Sequence, residues 1–213
     1  MKLQDKTVAF LGDSITAGVG TSNNGARFSE LLKNNAKLKD IKNYGISATR
    51  IARQQKITDE FIDTRSFCER VDEIESCDII VVFGGTNDYG HGDAKFGEFD
   101  DRTPDTYCGA VHYLMKKLIE NHPTSEIVFI TPLHRENENN LNASNNLPLK
   151  AYVDMIKKTA EFYGLPVLDL YSTSGICPDI EISKKTYCPD GLHPNDLGNM
   201  RIAQRLEAFL HTL

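Results

Sequence analysis

Two short runs, far apart in the chain, hold the residue types that acyl transfer requires. Gly12-Asp13-Ser14-Ile15-Thr16 offers a serine hydroxyl, and Asp190-Gly191-Leu192-His193-Pro194 offers a carboxylate and an imidazole three positions apart. A serine attacks a carbonyl efficiently only when a base takes its proton, and histidine titrates in the right range. A carboxylate on the other ring nitrogen fixes the tautomer and stabilises the imidazolium that forms. The attack also builds an oxyanion, which needs donors aimed at it. The candidates are the backbone N–H of Ser14, the backbone N–H of Gly45 and the side-chain amide of Asn87. Gly45 lacks a Cβ, so its backbone can come close to a ligand. Asn87 follows a pair of glycines, Gly84 and Gly85.

Taken singly, each residue has a plainer explanation. A Gly-Asp-Ser turn after a strand usually caps the next helix, and Asp-x-x-His at a helix entry is more often a cap than a catalyst. An asparagine in a turn commonly bonds its own backbone. What joins the residues is their position relative to the elements around them. Residues 7–11, 41–44, 78–83, 127–130 and 167–170 read as strands, the third a continuous β-branched run of the kind buried on both faces of a parallel sheet. Helical spacing is found over 26–33, 51–57, 67–75, 104–121 and 149–163, and from about Pro194 to the end. Pro104 is expected in the first turn of its helix, and Gly164 should stop the one before it. Strands alternating with helices imply a three-layer α/β/α arrangement around a five-stranded parallel sheet with right-handed crossovers. The expected strand order is the flavodoxin-like 2-1-3-4-5. Ser14, Gly45, Asn87, Asp190 and His193 then all fall just past the carboxyl ends of strands, where such sheets keep their ligands. Caps and turns alone would scatter to the other edge as well.

Two long loops, 89–103 and 134–147, follow the third and fourth strands, and loops of that length in compact domains are often functional. They bring His91, His134 and Arg135 to the same edge as candidate substrate contacts, with solvation the plainer alternative. The second loop is rich in asparagine, which suits either a mobile surface segment or a polar substrate. At 213 residues, 40% apolar and 25% charged, the chain suits one globular domain spanning 1–213. A net charge of −6 with scattered lysines and arginines argues against a nucleic-acid partner. No run is long and apolar enough for a membrane span, and no signal-peptide pattern opens the sequence, so a cytoplasmic setting is expected. Five cysteines without Cys-x-x-Cys spacing fit reduced thiols, with a Cys177–Cys188 pair open under oxidation. Oligomeric state is not legible.

At this point the chain resembles the SGNH, or GDSL, hydrolases. Four blocks carry the resemblance, in the family's order and over nearly the whole chain: Gly12-Asp13-Ser14, Asn43-Tyr44-Gly45, Gly85-Thr86-Asn87-Asp88 and Asp190-x-x-His193-Pro194. The resemblance implies Ser14 as nucleophile, His193 as base and Asp190 as its orienting acid. It further implies Ser14, Gly45 and Asn87 as oxyanion donors. Ile15 stands where the eponymous motif has leucine, and Thr16 replaces the second glycine of a Gly-x-Ser-x-Gly elbow, which sets the chain apart from ordinary α/β-hydrolases. The expected function is hydrolysis of a small-molecule carboxylic ester through an acyl-enzyme, without cofactor or metal, on acetylated sugars or other short-chain esters. Lysophospholipids are the alternative within the family. Two readings from other classes remain: a metal-dependent phosphohydrolase using Asp13, Asp88, Asp190 and His193 as ligands, and a binding module with a vestigial triad.

Overall fold

The computed structural model describes residues 1–213. From the N-terminus the chain forms β1 (Thr7–Gly12), α1 (Ser14–Ala17), α2 (Phe28–Ala36), β2 (Asp40–Gly45), α3 (Glu60–Asp63) and α4 (Phe67–Arg70). It continues with β3 (Ile79–Phe83), α5 (Thr86–His91), α6 (Tyr107–Asn121), β4 (Glu126–Ile130) and α7 (Leu149–Tyr163). β5 (Val167–Leu168), α8 (Leu170–Thr173), α9 (Glu181–Tyr187) and α10 (Asp196–Leu210) complete it. All five strands are parallel, as the alternation of periods predicts, and their order β2-β1-β3-β4-β5 is the flavodoxin-like one expected from the frequency of that fold.

Side-chain alternation along the strands builds two cores, one on each face. Val8, Phe10, Ile79, Val81, Phe83, Val128 and Ile130 pack with Phe28 and Leu32 of α2 and Ile202, Leu206 and Leu210 of α10. Ala9, Leu11, Ile80, Val82, Ile127 and Phe129 face the opposite way, onto α4, α6 and α7. No helix is long and apolar enough to cross a membrane.

Several local expectations are corrected. Residues 51–57 form no helix, although Ile51 and Gln54, three positions apart, are both buried. The Asp88 carboxylate takes the N–H groups of Ile51 and Ala52, and Asp93 takes those of Gln55 and Lys56, so side chains replace the helical acceptors. The 67–75 helix stops at Arg70 and ends in a 3₁₀ turn, Val71–Glu73. Pro104 precedes α6 rather than entering its first turn. Thr106 is the cap, accepting from the Gly109 N–H, and the Pro104 carbonyl receives Arg53 N–H. β5 is cut to two residues because Asp169 caps α8 through Ser172 N–H. Cys177 and Cys188 are both free.

The register aligns what matters for the site. Gly12 pairs with Gly45 on one side and with Phe83 on the other, so β1, β2 and β3 end at one level. The α1 backbone crosses directly over the end of β2. A Cβ at Gly45 would lie 2.3 Å from the Ala17 nitrogen and 2.7 Å from the Thr16 carbonyl carbon. Both are backbone atoms that cannot rotate away, so Gly45→Ala should destabilise the fold by about 1–3 kcal/mol in urea unfolding and dislodge α1. Wild-type stability in that variant would refute the contact.

Candidate active site

Ser14 is the first residue of α1, directly after the turn at the end of β1. Asp13 caps that turn by accepting the Ile15 N–H at 3.0 Å, and Gly18 closes it in the left-handed region. The Ser14 N–H belongs to the first turn of a helix, whose amides have no intrahelical acceptor. At the other end of the chain, Asp190 and His193 form a self-contained turn. One Asp190 oxygen accepts the Leu192 and His193 N–H groups at 2.8 and 2.7 Å, and the other accepts His193 Nδ1 at 2.7 Å. With Nδ1 donating to the carboxylate, Nε2 is left as an acceptor, and it lies 3.0 Å from Ser14 Oγ. Partial burial raises the Asp190 pKa. The donors from His193 and Leu192 outweigh it and hold the carboxyl below its usual range.

Asn87 sits in α5, entered through Gly85 at φ 102°, a conformation that favours glycine. One N–H of its side-chain amide donates to the Thr49 carbonyl at 3.0 Å, which fixes the rotamer and leaves the second N–H for the pocket. Gly45 is different. Its N–H donates to Asn43 Oδ1 at 2.9 Å, and the Asn43 amide in turn donates to the Thr16 carbonyl at 2.7 Å. The Gly45 N–H is therefore already engaged, by the same asparagine that ties β2 to α1.

Beneath these residues lies a buried polar layer whose role the sequence does not advertise. Arg70, 2% exposed, donates to the carbonyls of Gly12, Tyr44 and Arg65 and to the Thr49 hydroxyl. Burial lowers its pKa to about 10. Asp13 and Asp88 are also buried, and burial raises them to about 7 and about 6. The backbone donors at Ile15, Ile51 and Ala52 pull the other way without overcoming it. Both acids spend oxygens on the protein's own amides, and no three His, Cys, Asp or Glu side chains gather in a metal-binding arrangement.

Ser14 and His193 open into a pocket of about 280 Å³ whose other walls include Val19, Ala48, Asn87, Leu192, His91 and Arg135. His134 is not part of it. Its ring lies 4.0 Å from that of Tyr171, centroid to centroid, and its Nδ1 is 2.7 Å from Glu138, so it is held away from the opening. Of the asparagines of loop 134–147, Asn137, Asn139, Asn140 and Asn146 are exposed, as a surface segment requires, but two serve neither alternative expected of them. Asn142 and Asn145 bind the backbone of Tyr89, Ala94 and Phe96, lacing the two long loops together.

The GDSL-like lipase/acylhydrolase family model matches residues 10–201 of the chain. One solved structure is 32% identical, with a TM-score of 0.87 over 100% of this chain and 99% of its own. A protein from Lactobacillus plantarum is 30% identical, with a TM-score of 0.84 and 98% of each chain covered. A two-domain esterase active on acetylated mannans is similar in fold, at 21% identity and TM-score 0.61, over 97% of this chain and 48% of that one. No curated protein matches the sequence.

The buried acids carry a pH signature. Because burial raises the Asp13 pKa, the folded state favours its neutral form. That contribution is present below about pH 4 and is lost as pH rises towards 7. Asp13→Asn keeps a carbonyl oxygen for Ile15 and never ionises. It should gain stability over the wild type between pH 4 and 8, by on the order of a few kcal/mol. Denaturant unfolding at the two ends of that range tests this, and a difference that does not change with pH would contradict it.

Proposed function

The chain belongs to the GDSL-like lipase/acylhydrolase family, and we propose that it is a serine esterase cleaving small carboxylic esters through an acyl-enzyme, with residues 1–213 acting as one catalytic unit. The observation that carries this reading is Ser14 Oγ at 3.0 Å from His193 Nε2, with Asp190 at 2.7 Å from the opposite ring nitrogen. His193 takes the Ser14 proton as Oγ bonds to the ester carbonyl carbon. The carbonyl oxygen becomes an oxyanion, received by the Ser14 N–H and the free N–H of the Asn87 amide. Gly45 contributes by sharing its N–H between Asn43 and the oxyanion. Collapse breaks the bond to the alkoxy oxygen, which leaves with the proton held on His193. Water then attacks the acyl-enzyme, again losing a proton to His193, and the carboxylic acid departs as Ser14 recovers its hydrogen.

A volume of about 280 Å³ falls just under the usual range for small-molecule pockets. This favours acetyl and other short acyl groups over the long chain of a lysophospholipid. The similarity to an esterase active on acetylated mannans is in keeping with an acetylated carbohydrate as substrate. Asp13 and Asp88, engaged by backbone amides, are poorly placed to serve a metal-dependent phosphohydrolase.

Ser14→Ala should reduce p-nitrophenyl acetate hydrolysis to background and abolish labelling by a fluorophosphonate probe. Retained turnover would defeat the nucleophile assignment, and a wild-type protein that resists the probe would favour a binding module. Asn87→Ala should lower kcat by about 10²–10³-fold with little change in KM.

A further inference from the structure

The active-site pocket holds one permanent cation and no acid. Of the ten residues that line it, Arg135 alone carries a fixed charge. Arg135 is half-buried, and burial lowers its pKa from the usual value. Its Nη1 donates to the carbonyl and hydroxyl of Thr86 at 3.1 and 3.2 Å, and its guanidinium lies over the Tyr89 ring at 5.5 Å from the centroid. These contacts aim the group and do not neutralise it. Its Nε is buried with no hydrogen-bond partner, and Nη2 donates to nothing in the protein.

The neighbouring acids are committed elsewhere. Glu138 pairs with His134, Glu136 with Lys184, and Asp190 with His193. Asp13, which like Asp190 acts on Arg135 only through space, accepts the Ile15 N–H. A half-buried guanidinium without a counter-charge carries a desolvation cost that a bound anion offsets. Space has been left for it to lie against α5, since a Cβ at Gly90 would sit 2.7 Å from Nη1. A purely structural clamp between the loop after β4 and α5 would not need a cation facing the nucleophile's pocket. Loop arginines usually pair with a surface acid, and no carboxylate lies within ion-pair distance of this one.

We propose that Arg135 selects esters carrying a carboxylate close to the scissile bond, which binds the free edge of its guanidinium while Ser14 attacks. This rests on the serine-esterase reading and narrows its substrate class: the cleaved molecule is a short ester of a hydroxy acid, or a short half-ester of a dicarboxylic acid. The acid group is anchored by Arg135, and the apolar surface of Val19, Ala48 and Leu192 is left for the rest of the molecule.

Matched pairs test it on the intact protein. On the alcohol side, O-acetylglycolate, 3-acetoxypropanoate and 4-acetoxybutanoate are each compared with the neutral amide of the same length, by acetate release corrected for uncatalysed hydrolysis. On the acyl side, p-nitrophenyl hemisuccinate is compared with p-nitrophenyl butanoate. In at least one pair the anionic ester should have the higher kcat/KM, by roughly tenfold to a hundredfold. The preference should reside mainly in KM and shrink with added salt. Arg135→Gln should collapse the anionic-to-neutral ratio towards one, and Arg135→Lys should restore part of it. A neutral preference in every pair, with Ser14 still labelled by the fluorophosphonate and neutral esters still turned over, overturns the role of Arg135 and leaves the esterase reading standing. Failure of labelling and of all ester turnover removes the esterase reading itself, and this proposal with it. A ratio unchanged in an Arg135→Gln variant that melts like the wild type assigns any anionic preference to another group and overturns the proposal.

Discussion

The site hangs on a single buried guanidinium. Arg70 reaches from the end of α4 under the sheet edge and donates to the Gly12 carbonyl, the last of β1, and to the Tyr44 carbonyl, one residue before the end of β2. Immediately beyond those carbonyls the chain turns into the Ser14 helix and into Gly45. Where two adjacent parallel strands end side by side their carbonyls run out of ladder partners, and the Gly12 carbonyl is held by the Ile46 N–H just past β2 as well as by Arg70. One planar fork with several donors satisfies them together and links the Ser14 turn to its neighbour, which a set of separate caps would not do.

Placing a cation there has consequences. Arg70 has no carboxylate in direct contact; Glu73 and, more weakly, Asp13 act on it through space. Asp13 and Asp88 are themselves buried and raised in pKa. The floor of the site is therefore a layer of polar groups satisfied by backbone amides and carbonyls rather than by one another. Such a layer is rigid because every alternative arrangement strands a buried donor or acceptor. Upon it stand the polar groups of the candidate site, each braced locally: Asn87 by Thr49, Asn43 by Thr16, and His193 by a turn that Asp190 organises with both of its oxygens.

What sequence reasoning missed follows from the reach of its signals. The spacing of Ile51 and Gln54 looks helical, yet periodicity reports which side chains are buried and not what accepts the backbone N–H groups. Asp88, more than thirty residues away, takes that part, so the segment is a pinned loop. The asparagines of 134–147 read as a polar surface because composition carries no partners. Only the fold reveals that Asn142 and Asn145 meet the backbone of the loop after β3. His134 and Arg135 are neighbours with the same apparent promise. Stacking on Tyr171 turns one away from the opening, while the contacts with Thr86 and Tyr89 hold the other in it.

The sequence by itself determined the parallel α/β sheet and the level at which Ser14, Gly45, Asn87 and the Asp190–His193 turn emerge. Those properties rest on short-range signals: periods of two and of 3.6, glycines at strand ends, and a three-residue spacing that closes its own turn. Tertiary structure alone decided how the groups are charged, braced and exposed. It buried Arg70, Asp13 and Asp88 beneath the site, engaged the Gly45 N–H, and left Arg135 without a counter-ion in the pocket. The physical reason is that desolvation and hydrogen-bond satisfaction depend on everything within a few ångströms, and most of what lies there arrives from distant parts of the chain.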